Sequence, residues 1–353
     1  MSSTCIRSRL AALALVVVVW CNTQEVVATV DRYIQLTPEC VPATDGKSVK
    51  LKRCLGGQEG AQRPIDPFLV FDFYNSTNKK EFKGGFPAHP HRGFLEIRYL
   101  LRGELSHKDS CSGAATIRDG GAQLLHTGRG IAHEEKTDGD ALVGFQVWVN
   151  LPHYRKLEFP DYFKVDSFTI HFKSDARWSV LCGIFDDHEG PFTRYHKSLL
   201  FMDIERVGYR EFFTVTTPPD NTVIVFCYKG AVNVGKDDAT IYTLLEGEFA
   251  ILSSGDEINM VQLEEKGDSS ILLLSAPKLR EPVFLSSGFA AASKEALDQA
   301  MEDLKNGNST HCPPNVRSPD VGLNHRAAFG EDAPSSTTAP ATSESDSEIS
   351  DEL

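Results

Sequence analysis

Gly85-Phe86-Pro87-Ala88-His89-Pro90-His91-Arg92-Gly93-Phe94 is the stretch from which the rest of the chain can be read. His89 and His91 stand two apart, so in an extended segment both imidazoles leave the same face. Pro90 has a fixed φ and disfavours the helical region for His89, which enforces that extension. Gly128-Arg129-Gly130-Ile131-Ala132-His133-Glu134-Glu135 repeats the device, and strand alternation selects Glu135 rather than Glu134 as the companion of His133. Two such pairs on neighbouring strands can converge on one cation. Three imidazoles and a carboxylate suit a borderline divalent ion such as Fe(II), or Mn, Ni, Cu or Zn, and leave positions open for water, O2 or substrate.

Outward from these motifs, from about Val30 to Pro282, short apolar runs alternate with Gly, Pro and Asp turns. Strands are expected at Phe68–Phe73, Leu95–Leu101, Val143–Val149, Thr222–Tyr228, Phe249–Ser253 and Ser270–Ser275, a pattern of β-barrels or sandwiches. Residues 60–150 and 195–285 have comparable turn density, which suggests a duplicated barrel. His89, His91, His107, His126 and His133 all fall in the first stretch, whereas no histidine occurs between His196 and His311. Only the first barrel can therefore carry a histidine metal site. One helix is expected late, capped by Ser293, with Leu297, Ala300, Met301 and Leu304 on one stripe and Gly307 at its end.

The chain has 353 residues, 41% apolar and 24% charged, which excludes a coiled coil, a collagen or a wholly disordered protein. Its net charge of −13 argues against nucleic acid as a direct partner. Much of that charge is local: residues 331–353 hold Glu331, Asp332, Glu344, Asp346, Glu348, Asp351 and Glu352 with no Lys or Arg. Residues 308–353 are poor in large apolar side chains and are expected to be a disordered acidic tail.

Both ends read as addresses. Arg7 and Arg9 precede an apolar run from Leu10 to Trp20 and a polar stretch ending Val26-Val27-Ala28, the pattern of a secretory signal peptide over residues 1–28. The run is well short of the ~20 residues that span a bilayer, so no membrane span is expected after cleavage. Ser350-Asp351-Glu352-Leu353 is one substitution from the Lys-Asp-Glu-Leu retrieval signal, which places the protein in the endoplasmic reticulum lumen, or outside the cell as the alternative. The sequons at Asn75 and Asn308 agree with glycosylation there. Cleavage leaves Cys40, Cys54, Cys111, Cys182, Cys227 and Cys312, enough for three disulfides. Cys40 and Cys54 are the favoured pair, and Cys227, inside Val223–Tyr228, reads as a buried free thiol.

The Gly85–Phe94 and Gly128–Glu135 segments resemble the pirin family. So do Asp66-Pro67-Phe68-Leu69, Gln146-Val147-Trp148-Val149-Asn150-Leu151-Pro152 and Arg280-Glu281-Pro282-Val283, in the same order from about residue 30 to 307. The resemblance implies an all-β fold of two cupin (jelly-roll) barrels packed face to face, residues 29–165 binding metal and residues 166–307 not, with the short helix and tail behind them. It implies one iron held by His89, His91, His133 and Glu135, and either quercetin 2,3-dioxygenase activity or a role as a transcription cofactor. Where the family has Glu after His-Pro-His-Arg-Gly-Phe, this chain has Leu95. Glu96 follows, and alternation assigns it to the face away from the site. His126 reads as packed and His107 as a rim residue without a visible partner, while Arg92 and Arg129 orient the ligating strands, bind an anionic substrate, or form structural salt bridges.

Two functions compete. In the first, a metal-dependent dioxygenase takes a small aromatic, flavonol-like substrate and O2, with Glu135 accepting the substrate's hydroxyl proton. In the second, a non-catalytic metal or redox sensor presents a surface to a luminal protein partner. A monomer is expected in both.

Overall fold

The strand Phe94–Asp109 shows how alternation builds the molecule, because both of its faces are enclosed. Leu95, Ile97 and Tyr99 leave one face and pack into a core shared between the two halves of the chain. Glu96 and Arg98 leave the other and are also buried, inside the first half. This is a computed structural model that describes residues 29–312 apart from 58–59, 112, 174, 210, 263–266 and 287. Residues 1–28, expected to be a signal peptide, and residues 313–353 of the expected acidic tail, with the Ser-Asp-Glu-Leu end, lie outside the described residues.

Two β-barrels face each other, as expected. The first is a nine-stranded antiparallel sheet ordered Asp161–Val165, Ala122–His126, Phe94–Asp109, Ile131–Asn150, Phe68–Ser76, Val49–Leu55 and Val41–Asp45. Phe86–His91 pairs with Ile131–Asn150, and Gly113–Ile117 with Phe94–Asp109. The second barrel joins a seven-stranded sheet centred on Thr222–Lys229, Ser270–Ala276 and Leu200–Arg206 to a four-stranded one running Phe213–Thr216, Glu257–Gln262, Ala231–Val234 and Tyr242–Leu245. Phe94–Asp109 and Ile131–Asn150 outrun their expected lengths because register shifts at Leu100/Arg102 and Gly103/Glu104 bend the ladder without ending it.

Aromatic rings join the barrels. Phe71 lies 5.2 Å from Phe249 and Phe73 4.9 Å from Phe226, centroid to centroid. Each such ring, fully buried, contributes about 1.5–3 kcal/mol. The interior of the second barrel is filled by Trp178, Val180, Met202, Ile204, Val225 and Met260, and among the described residues both possible metal-holding groups lie in the first barrel.

The barrels also exchange their ends. Ile34–Leu36 joins the sheet of the second barrel by pairing with Phe249–Leu252. In return, the segment after Phe284 comes back to the first barrel, where Asp303 pairs with Arg92 at 2.9 Å and the amide of His311 donates to the Gly130 carbonyl. Ser293 caps the helix Lys294–Lys305 as expected, its Oγ accepting from the amide of Ala296. The segment expected to leave the fold at residue 308 is held as far as Cys312, which is bonded to Cys111, and Ser309 is buried. The expected Cys40–Cys54 bond is present, and Cys227 is a buried free thiol, as is Cys182. Among the described residues no helix is long and apolar enough to cross a membrane.

Candidate metal centre

Antiparallel register sets His89 directly across from His133 and His91 across from Ile131. The Nε2 atoms of His89 and His133 are 3.1 Å apart, and one nitrogen from each of His89, His91 and His133 lies within 4.8 Å of the others. His91 and His133 are buried, while His89 is half-buried at the edge. The structure thus brings together the three histidines that the spacing singled out.

Hydrogen bonds fix which nitrogen of each ring is free. The Pro87 carbonyl lies 2.7 Å from His89 Nδ1, and the Gly288 carbonyl 3.2 Å from His91 Nδ1. A carbonyl only accepts, so both Nδ1 atoms carry the proton and both Nε2 atoms keep a lone pair. For His133 the same result comes through a relay. Asp109 Oδ2 accepts from His107 Nε2 at 2.8 Å, which leaves His107 Nδ1 to accept from His133 Nδ1 at 3.4 Å. All three Nε2 lone pairs therefore face one another.

The carboxylates are arranged differently from the expectation. Glu135 is buried, but Arg98 Nη2 stands 2.5 Å from its Oε2 and Gln123 Nε2 donates to its Oε1 at 2.6 Å. Its oxygens cluster with His107 and His133, not with the trio of His89, His91 and His133. Glu96, assigned from the sequence to the face away from the site, faces into it: its Oε2 is 3.5 Å from His91 Nε2 and 3.6 Å from His133 Nε2. The reason is Leu95. That side chain packs into the core between the barrels, so the next residue must point inward.

Among the described residues His91 Nε2, both carboxylate oxygens of Glu96 and Oε2 of Glu135 have no hydrogen-bond partner, although Glu135 Oε2 is ion-paired with Arg98. Buried atoms of this kind normally find one. Ligand atoms about 2.1 Å from an ion stand about 3.0–3.4 Å apart, close to the separations here, so the residues present fit a divalent metal. Burial favours the matching protonation states. It pushes His89 down to about 3 and His91 to about 4, and carries His133 well below its ordinary value, so the imidazoles are neutral. Burial also raises Glu96 and Glu135 to about 7 each, against the opposing pull of Arg98.

His107 belongs to the site's support. The sequence carried a signal for it, since His107-Lys108-Asp109 has the same i, i+2 spacing as the ligand pairs. Tyr162 stacks on its ring at 4.2 Å. His126 is packed, as expected, with Glu158 Oε2 3.0 Å from its Nε2. Arg92 and Arg129 serve structure: Arg92 Nε donates to the Arg129 carbonyl, and Arg129 Nε to that of Leu157.

Comparison with known proteins places these features in a family. Residues 48–149 match the Pirin family and residues 203–310 the Pirin C-terminal cupin domain. A pirin-like protein of Caulobacter vibrioides is 33% identical over 272 residues, covering 75% of this chain and 95% of its own. A Vibrio cholerae protein whose provisional name is quercetin 2,3-dioxygenase is 30% identical over 290 residues, 79% of this chain and 98% of its own. The crystal structure of quercetin 2,3-dioxygenase from Acinetobacter baumannii shares the fold with a TM-score of 0.65 at 24% identity, over 79% of this chain and 98% of that one.

Proposed function

The chain belongs to the pirin family, and on that premise we propose that it is a metal-dependent dioxygenase of the quercetin 2,3-dioxygenase type, acting on a flavonol-like substrate with O2. The observation that carries this reading is the meeting of three Nε2 lone pairs beside an unpartnered buried carboxylate oxygen. His89, His91 and His133 would hold the ion together with a carboxylate, and Fe(II) suits such a nitrogen-rich set with open positions. When bound, the ion supplies Lewis acidity and one-electron chemistry with O2.

The chain's own residues do the rest. The half-buried edge at His89 is the side from which a planar substrate can approach, while burial of His91, Glu96 and His133 keeps the interior dry. A flavonol hydroxyl must lose a proton, and a buried carboxylate beside the imidazoles would accept it. In the same reading the protein works in the endoplasmic reticulum lumen, and its two disulfides support an oxidising compartment.

The test is O2 uptake by iron-loaded full chain with quercetin. Turnover is expected, with a loss of at least ~100-fold in His133→Ala, the size of effect expected when a metal ligand is removed. A fully iron-loaded chain without flavonol turnover would overturn the reading.

A further inference from the structure

We propose that the Cys111–Cys312 bond is a site of thiol–disulfide exchange, and that its reduction by a dithiol loosens the metal centre. The proposal rests on the metal-centre reading above and adds a control on metal retention to it. The bond lies behind His133. Cys111 donates its amide to Asp109 Oδ1 at 2.6 Å, while Asp109 Oδ2 accepts from His107, the ring that accepts from His133. The turn at Ser110 is stitched to the strand of His133. Its amide donates to the Ala132 carbonyl at 2.8 Å, and the Ala132 amide donates to Ser110 Oγ at 3.1 Å. Cys312 Sγ lies 2.9 Å from the Ser110 carbonyl. Cys111 packs with Cys312, Leu125, Ile131 and Tyr162, and Tyr162 is the ring stacked on His107.

The two sulfurs are unequal. Cys111 is buried and Cys312 half-buried, so an incoming thiolate meets Cys312 Sγ first. Attack there forms a mixed disulfide and expels Cys111 as a thiolate. The Ser110 hydroxyl, 3.6 Å from Cys111 Sγ, can donate to that leaving group, which speeds the exchange. The reductant's second thiol then closes on its first sulfur and releases Cys312. Two electrons and two protons pass to the protein, and the dithiol departs as a disulfide. Cys40–Cys54 lacks this advantage: attack on half-buried Cys40 would expel Cys54 into the apolar core shared by the barrels, where burial disfavours a thiolate. Once Cys111–Cys312 is open, the segment after the helix keeps the His311 bond to Gly130 and the helix keeps the Arg92–Asp303 pair. No cross-link then pins the Ser110–Cys111 turn that holds Asp109 against His107.

Metal-free full chain, reduced with dithiothreitol for increasing times and then freed of reductant without air, tests this. One portion is alkylated with iodoacetamide and mapped by mass spectrometry; another is loaded with Co(II), and release to EDTA is followed by the visible bands. We expect Cys111–Cys312 to open at least ~10-fold faster than Cys40–Cys54. Protein opened there alone should release Co(II) at least ~10-fold faster than the oxidised chain, with the slow rate restored on reoxidation. The Cys111→Ser/Cys312→Ser variant should show the fast rate with or without prior reduction. Earlier opening of Cys40–Cys54, or equal release from the oxidised and reduced chains, overturns the proposal. If the double variant does not fold, the reduced and reoxidised wild type decide alone by the same two criteria. Failure of the parent reading looks different, since oxidised His133→Ala would then hold Co(II) as long as the wild type.

Discussion

The Nδ1 of His91 lies 3.2 Å from the carbonyl of Gly288, a residue 197 positions later in the chain. The returning C-terminal segment therefore sets the tautomer of a proposed ligand in the first barrel. Gly288 has φ +81°, and a Cβ placed there would fall 2.6 Å from that same Nδ1. Only glycine allows this approach. Gly288→Ala is expected to weaken Co(II) binding by about 10–100-fold, the usual cost of losing such support, while the metal-free far-UV spectrum stays unchanged. Unaltered binding in titration calorimetry would remove Gly288 from the site.

The Asp109–His107–His133 relay makes a second prediction. Asp109 Oδ2 accepts the His107 proton, and its Oδ1 also accepts from the amide of Cys111 at 2.6 Å. An Asn at 109 can turn its amide group toward His107 and reverse the ring's tautomer, after which His133 Nδ1 no longer has an acceptor. Asp109→Asn is expected to lower metal affinity by about 10–100-fold, and His107→Phe to do the same. If both variants bind metal like the wild type, the relay plays no part in preparing His133.

Asp203 sets a pH dependence away from the metal. It is fully buried at the junction of the barrels, accepting from the hydroxyls of Tyr99 at 2.6 Å and Tyr228 at 2.5 Å. Burial raises its pKa from 3.8 to about 7, against the pull of those two hydrogen bonds. A carboxyl raised in the folded state stabilises the fold fully below about pH 3.8, and that contribution is lost as pH climbs toward 7. Between pH 5 and pH 8 the loss is about 2–3 kcal/mol. Asp203→Asn removes it, so the stability of the variant relative to wild type should rise by that amount over the same interval. Urea unfolding of metal-free protein at the two pH values measures it, and a pH-independent difference would contradict it.

The sequence revealed the trio of imidazoles because each pair is local: Pro90 and the i, i+2 spacing place His89 and His91 together whatever the rest of the fold does. The paired barrels were legible for a similar reason, since apolar runs and turns mark strands without long-range information. Glu96 was not legible. Alternation says that Leu95 and Glu96 face opposite ways, but both faces of this strand are buried, and no local rule says which one holds the site. That choice is made by the second barrel, which packs Leu95 into the shared core. The Arg98–Glu135 pair is likewise invisible without knowing that residues 98 and 135 share an interior.

The Cys111–Cys312 bond belongs to the same class of long-range facts, and its sequence separation of 201 makes its energetic role testable against the separation of 14 for Cys40–Cys54. If a disulfide acts by restricting the unfolded chain, the longer closure stabilises more, by about 2 kcal/mol for this ratio of loop lengths. The segment it tethers carries few other anchors: the His311 amide bonds to Gly130, and Ser309 is buried beside it. The Cys111→Ala/Cys312→Ala double variant should therefore lose more stability in urea than Cys40→Ala/Cys54→Ala, although Cys54 is itself a buried core residue. Limited proteolysis should then cut the first double variant near residue 310 before the barrels are attacked. An equal or smaller loss than for Cys40–Cys54, with residue 310 still protected, would mean that native contacts rather than chain closure hold this segment to the first barrel.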